Sequence, residues 1–228
     1  MECADEAVNA FSGATSLEKA RASFLSRLEI AAAKLTPVCQ NLSAKYGVDF
    51  KGFDFSPAPF PEDWCSLGNA FECLGLQQIG QTGSLAVAAF IADALDSGTW
   101  IKVGFNGLML AVLEDSVLAA RAAEGNLTVK DLLLYSAVCG TGLDTIPLPG
   151  DVSTDELTGL LIDLGALATR LGKPLTGRLM PIPGKKAGDQ TEFDFGYFAN
   201  SRVMSLAGGQ LKAPLISEKS IPLTPKKH

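Results

Sequence analysis

The chain has 228 residues, 47% of them hydrophobic and 19% charged, with a formal net charge of −6. That is enough polypeptide for one large domain with a substantial core, and its acidity argues against a nucleic-acid-binding surface. Five cysteines at positions 3, 39, 65, 73 and 139 are odd in number and scattered, so they do not make a disulfide framework, and a reducing, cytoplasmic setting is expected.

The opening MECADEA is acidic where a secretory signal is basic, and the uncharged run from Cys73 to Ala92 is interrupted by QQIGQTGS. Neither an export segment nor a membrane span is expected. His228 is the only histidine. A Ser-His-Asp triad, a histidine base or a histidine-bearing zinc site would therefore have to be built from the last residue.

Taken in order, Ala4, Val8 and Phe11 fall at helical spacing, so the chain opens inside an amphipathic helix. A longer helix follows, capped by Ser16, with Leu17, Ala20, Phe24, Leu28, Ala31 and Leu35 on one face. Pro37 is expected to bend or interrupt it, with Val38, Leu42 and Tyr46 continuing the face to Gly47. VDFKGFDF then alternates as a strand, and SPAPFPED is a proline-stiffened loop. Short helical stretches are predicted from Ser66 to Leu74 and from Ser84 to about Leu95, the second apolar almost all round and so buried on several sides. WIKVGFNG reads as a strand and turn feeding a helix from Leu108 to about Ala123, with Glu114, Asp115 and Arg121 as its polar marks. Thr128 caps another helix that runs to about Ala137.

Val138 to Asp151, VCGTGLDTIPLPGD, is the stretch around which the rest is arranged. Its glycines and prolines predict a rigid, shaped loop of the kind that carries binding and catalytic groups. Ser153 and Glu156 after it have capping-box spacing, and Leu157, Leu160, Leu161, Leu164, Ala168 and Leu171 give a helical stripe ended by Gly172. LTGRLMPIP is a strand, and residues 207–228 form a peripheral tail after a main body of residues 1–206. Strand, glycine-bearing loop and helix recur, which predicts α/β layering with mainly parallel strands.

Three loops place glycines and small polar residues ahead of helices: GQTGS with Gly83 and Ser84, GFNG with Asn106 and Gly107, and PGDVS with Asp151. Helix N-termini favour anions, although ordinary capping accounts for any one such loop. In PIPGKKAGD, Lys185, Lys186 and Asp189 sit in a stiff turn suited to a carboxylate or phosphate, or to plain solvation. Asp144, Asp151, Asp189 and Glu192 could supply oxygens to Mg²⁺ or Ca²⁺, but no fixed metal-loop spacing is present and no cofactor is identified. Cys139, beside Gly140 and Gly142, is the cysteine placed best for chemistry; a buried, inert thiol is the commoner state of such a residue.

The blocks GFDFSPAPFPED, GQTGSLAVAAFIADAL, GFNGLMLAVLED, VCGTGLDTIPLPGD and RLMPIPGKKAGDQTEF resemble consecutive segments of the DUF711, or UPF0210, family, over the chain as far as about Met204. The resemblance implies part of an α/β barrel like that of pyruvate formate-lyase, helix-rich and mainly parallel. It also implies that Met1 corresponds to a mid-chain position, so that a second polypeptide or an N-terminal half completes the barrel. The family carries no established reaction. Cys139 invites comparison with the loop cysteine of glycyl-radical enzymes, but FGYFANSRVMSL lacks their glycine motif, so radical chemistry is not expected.

Two functions stay open. One is an enzyme acting on a small anionic metabolite, with Lys185 and Lys186 holding the acid group and Asp144 or Cys139 handling protons or nucleophilic attack. The other is a non-catalytic ligand-binding or assembly subunit on an enzyme-derived fold.

Overall fold

Capping residues written into the sequence set most of the helix ends. The computed structural model describes residues 2–217 and 220–226, so His228 lies outside the described residues. α1 (Ala4–Phe11) packs on α2 (Leu17–Tyr46), where Phe11 and Phe24 approach to 5.4 Å between ring centroids. Ser16 Oγ accepts from Lys19 N at the start of α2, and Gly47 closes it at φ 65°. Pro37 does not interrupt this helix: Thr36 Oγ1 donates to Ala32 O just before the proline, which has no N–H of its own to give. Val38, Leu42 and Tyr46 are exposed rather than packed, because the buried face of α2 ends at Ala32.

A 3₁₀ turn at Asp63–Cys65 leads into α3 (Leu67–Cys73), capped by Ser66 Oγ on Asn69 N. α4 (Ser84–Asp96) buries one face through Ala88, Ile91, Ala94 and Leu95, while Leu85, Val87 and Phe90 are half-buried, so it is less enclosed than its composition implies. α5 (Ser116–Glu124) and α6 (Val129–Tyr135) follow, the latter with a full capping box between Thr128 and Asp131. A helix from Leu108 does not form. Leu108, Leu110 and Ala111 lie in an extended, buried stretch, Val112–Glu114 is a 3₁₀ turn, and Asp115 caps α5. Continuous apolarity there reflects a strand-like segment buried on both faces, a pattern that periodicity does not separate from a buried helix.

The central stretch is likewise not a loop. Gly142–Pro149 forms β1, almost wholly buried, and α7 (Thr154–Leu171) connects it to the parallel strand β2 (Thr176–Ile182). Leu143, Ile146 and Leu148 supply the apolar side chains of β1, and its glycine permits a close approach: a Cβ on Gly142 would stand 2.4 Å from Thr176 O. Isolated parallel bridges extend the array, Ala111 with Asp144 and Phe53 with Lys102. Residues 48–55, expected as a strand, contribute only that Phe53 bridge, and GFNG precedes the extended stretch at Leu108 rather than a helix. The architecture is α/β, helix-rich, with a small parallel sheet.

Past the sheet, residues 190–204 fold back over it. Gln190 and Arg202 form an antiparallel bridge, Ala199 N donates to Leu113 O, and Met204 N donates to Pro147 O. From Ala207 the described tail has neither helix nor strand and follows α7, where Lys226 N donates to Arg170 O. None of the described helices is long and apolar enough to cross a membrane.

Candidate functional site

The parallel register of β1 and β2 decides where the predicted site residues lie. Gly142 is level with Thr176 and Pro149 with Ile182, so both strands run from one edge of the layer to the other. Cys139 and Gly140 precede the start of β1, whereas Lys185, Lys186 and Asp189 follow the end of β2. Seven residues of strand separate the two ends, roughly 23 Å. The cysteine and lysine corners therefore do not share a pocket.

At the leading edge the residues are structural. Cys139 is 0% exposed, burial pushes its thiol up, and its carbonyl accepts from Lys173 Nζ at 2.6 Å. A thiol raised in this way is not the thiolate that nucleophilic attack needs. The Phe105 ring sits so close to Gly140 and Gly107 that a Cβ on either would stand within 3 Å of it. Asn106, at φ 45°, donates from Nδ2 to Phe53 O and Val103 O and accepts on Oδ1 from Phe55 N and Trp100 Nε1, which locks two extended segments together. Gly83 ends a turn at φ 107°, and the buried Ser84 hydroxyl is taken up by Gly80 N and Gln81 O.

At the trailing edge the lysine turn is bound to itself. Lys186 N donates to Asp189 Oδ2 at 2.6 Å, Gly150 N beside the exposed Asp151 donates to Lys185 O, and Lys185 Nζ pairs with Glu192 at 3.2 Å. Among the described residues no three Cys, His, Asp or Glu side chains gather as a metal site.

Of the predicted set, Asp144 alone joins an ionic cluster, and its partners lie outside that set. Arg178 of β2 donates from Nε to Asp144 Oδ1 at 2.5 Å and from Nη2 to Glu114 Oε1 at 2.6 Å. Asp144 is 4% exposed, while the Arg178 side chain is 48% exposed, so the arginine reaches from open surface onto a buried carboxylate. Its Nη1 makes no hydrogen bond to a described residue. Gly177 faces Leu161 and Leu164 of α7, so strand alternation puts Arg178 on the opposite face of the sheet, where its side chain is half exposed.

One guanidinium charge serves two carboxylates. Burial pushes the Glu114 carboxyl above its ordinary range, Arg178 opposes this and the charge on Asp144 reinforces it. Burial also works against the charge on Arg178, yet its bonds to Asp144 and Glu114 keep its pKa above the usual arginine value. Arg178 had one available signal, a lone charge in LTGRLMPIP, an otherwise apolar and small-residue strand. Glu114 had none, since in the sequence it is a polar mark on a helix that does not form.

A groove of about 430 Å³ lies elsewhere, between α6, α7 and the tail, lined by residues that include Val129, Leu133, Leu160, Leu211 and Leu215. Its described residues form no ionic cluster comparable to that around Arg178, and the Arg178 cluster is the better candidate for chemistry.

The fold and the cluster together define a helix-rich α/β protein with a small parallel sheet that carries a charged cluster on one face. The family is narrower. The family model described as "Uncharacterised ACR (DUF711)" matches residues 1–201, and the chain belongs to the DUF711 family. It is 39% identical to a UPF0210 protein of Pyrobaculum aerophilum over 184 residues, 79% of this chain and 41% of that protein. Against a UPF0210 protein of Lactobacillus delbrueckii subsp. bulgaricus it is 35% identical over 196 residues, 80% of this chain and 44% of the other. Against one of Methanopyrus kandleri the figures are 34% over 174 residues, 75% and 38%. The chain thus spans about two fifths of the length of these curated relatives.

Proposed function

We propose that the chain is part of an enzyme that binds and acts on a small anionic metabolite at the Asp144–Arg178–Glu114 cluster, by proton transfer and without glycyl-radical chemistry. The observation that carries this reading is Arg178, oriented by two carboxylates, half exposed along its side chain, and without a hydrogen bond from Nη1 to a described residue. A guanidinium held in this way presents a preorganised donor to a carboxylate or phosphate oxygen. Glu114, held by the same guanidinium and with its carboxyl pushed up chiefly by burial, is the group suited to give and take a proton. Asp144 then orients Arg178 rather than reacting itself. The setting that goes with five unpaired cysteines is cytoplasmic.

Titration with oxalate and with inorganic phosphate, followed by calorimetry, tests the reading. The wild-type chain should bind one of them, and Arg178→Met should weaken that binding at least about tenfold, the loss of one charge-assisted hydrogen bond. Equal affinity in both proteins rules it out.

The pocket over this cluster needs more polypeptide. The outer edge of β2 is unpaired among the described residues, and an open edge recruits another strand. A pyruvate formate-lyase-like barrel, completed by a second polypeptide or by the remainder of a chain of the relatives' length, would cover that edge and wall the site. Light scattering on the purified chain should show self-association. A compact monomer that melts cooperatively argues against the barrel.

The alternative is an assembly subunit. Trp64 on the Asp63–Cys65 turn and Phe195 and Tyr197 in the segment after β2 are each more than half exposed, as a partner surface would be.

A further inference from the structure

Strand β1 is irregular beside this cluster. Its register with β2 passes from Leu143 opposite Gly177 to Ile146 opposite Leu179, so Asp144 and Thr145 together stand opposite Arg178 alone. Two residues against one is a β-bulge, which bends a strand and re-aims side chains. Thr145 lies in that bulge at φ 45° and is completely buried. A β-branched residue is strained at positive φ, where glycine would be at ease; Gly142, three residues earlier, holds φ 102°. The threonine side chain must therefore supply something that glycine lacks.

It supplies an acceptor. Thr145 Oγ1 accepts from Leu113 N at 3.2 Å. Ala111 bridges Asp144, so a regular parallel ladder would offer Leu113 N a main-chain carbonyl at this step, and the hydroxyl stands in for it. Leu113 immediately precedes Glu114. The turn's other ties are Glu114 N to Ala111 O and Ala199 N to Leu113 O.

We propose that Thr145 is the positioning residue of the site: its bulge sets Asp144 against Arg178, and its hydroxyl holds the turn that brings Glu114 to the same guanidinium. This rests on the reading of that cluster as a ligand site. The groups facing Glu114 are Arg178 from β2, Asp144 from β1 and Glu2 from the N-terminal segment. If the turn loosens, Glu114 moves toward solvent and loses the burial that raises it.

The test uses the full chain with Thr145→Val, which keeps the branched shape without the acceptor, Thr145→Ser, which keeps the hydroxyl, and Thr145→Gly, which removes the strain together with the hydroxyl. The readout is the Glu114 carboxyl titration by carbon-detected NMR, with a thermal melt alongside. Thr145→Val and Thr145→Gly should lower the Glu114 midpoint toward the ordinary glutamate value, and Thr145→Ser should restore it. If Thr145→Val proves too unstable to titrate, Thr145→Gly decides. A lower melting temperature with the Glu114 midpoint unmoved overturns the proposal and leaves Thr145 a packing residue. Inorganic phosphate binding separates the two ideas: a moved midpoint in a chain that binds no phosphate upholds the positioning role and removes phosphate as the ligand, whereas wild-type binding with an unmoved midpoint does the reverse.

Discussion

Asp115 and Asp144 are both buried carboxylates, 0% and 4% exposed, on either side of the Val112–Glu114 turn and its neighbouring strand, yet they are satisfied in opposite ways. Asp115 accepts on Oδ1 from Ser66 Oγ, Val117 N and Leu118 N, and on Oδ2 from Leu67 N and Gly68 N. It therefore serves the start of two helices at once, α3 and α5, with no cation and no outlet to solvent. Gly68 allows the helices to meet there, since a Cβ on it would stand 3.0 Å from Val117 Cβ. Asp144 instead shares a half-exposed arginine with Glu114. Burial of a carboxylate is thus not in itself a mark of chemistry. What separates the two is whether the partners are saturated and internal, or still have a donor to offer outward.

The sharpest way to break this comparison is at Asp115. Asp115→Ala strips the caps from two helices and leaves buried N–H groups without acceptors, which should cost about 3–5 kcal/mol of stability in urea unfolding. Asp115→Asn should recover little, because an amide NH₂ would confront donors on whichever oxygen it replaces. A loss below about 1 kcal/mol would mean that water or a shifted backbone satisfies those donors, and that Asp115 is not the clamp described here.

How much of this was legible follows the same division. Local, self-contained signals were readable. Ser16, Thr128 and Ser153 cap the helices assigned to them, Ser66 proves to be the cap of the helix predicted to start there, Gly47 and Gly172 end two, and the Ser153–Glu156 box forms as spaced. LTGRLMPIP is a strand in the structure as in the sequence. The inner strand was not readable. β1 is covered on both faces, which erases alternation, and its glycines and prolines imitate a loop. Leu108–Leu113 misleads for the same reason in the other direction, as an apolar run that imitates a helix. The cluster joins residues from three separate segments, at positions 114, 144 and 178, through strand register, and register is a tertiary fact that no single stretch encodes. The lysine turn looks electropositive because its composition hides that Asp189 and Glu192 answer its donors.

The smallest expected effect sharpens the open side of the comparison, through the pH dependence of Glu114→Gln. The folded-state pKa of Glu114 lies above its unfolded value, chiefly through burial. A raised carboxyl favours the folded protein fully below the unfolded glutamate pKa, and that contribution is lost as pH rises through the folded value. The glutamine amide does not titrate, so the stability of Glu114→Gln relative to wild type should improve as pH climbs from the ordinary glutamate range upward and then level off. Asp54 works in the opposite sense. Burial opposes its charge, but hydrogen bonds from Ser56, Phe105 N and Asn106 N hold its pKa low, so its contribution is present above the unfolded aspartate pKa and is lost as pH falls through the folded one. Both proteins contain Asp54, so the difference between their pH–stability curves cancels it and isolates Glu114. A difference curve that is flat across this range would mean that Arg178 compensates both carboxylates in full. Glu114 would then be an ordinary ion-pair partner, and the distinction between the closed and the open carboxylate would rest on Arg178 alone.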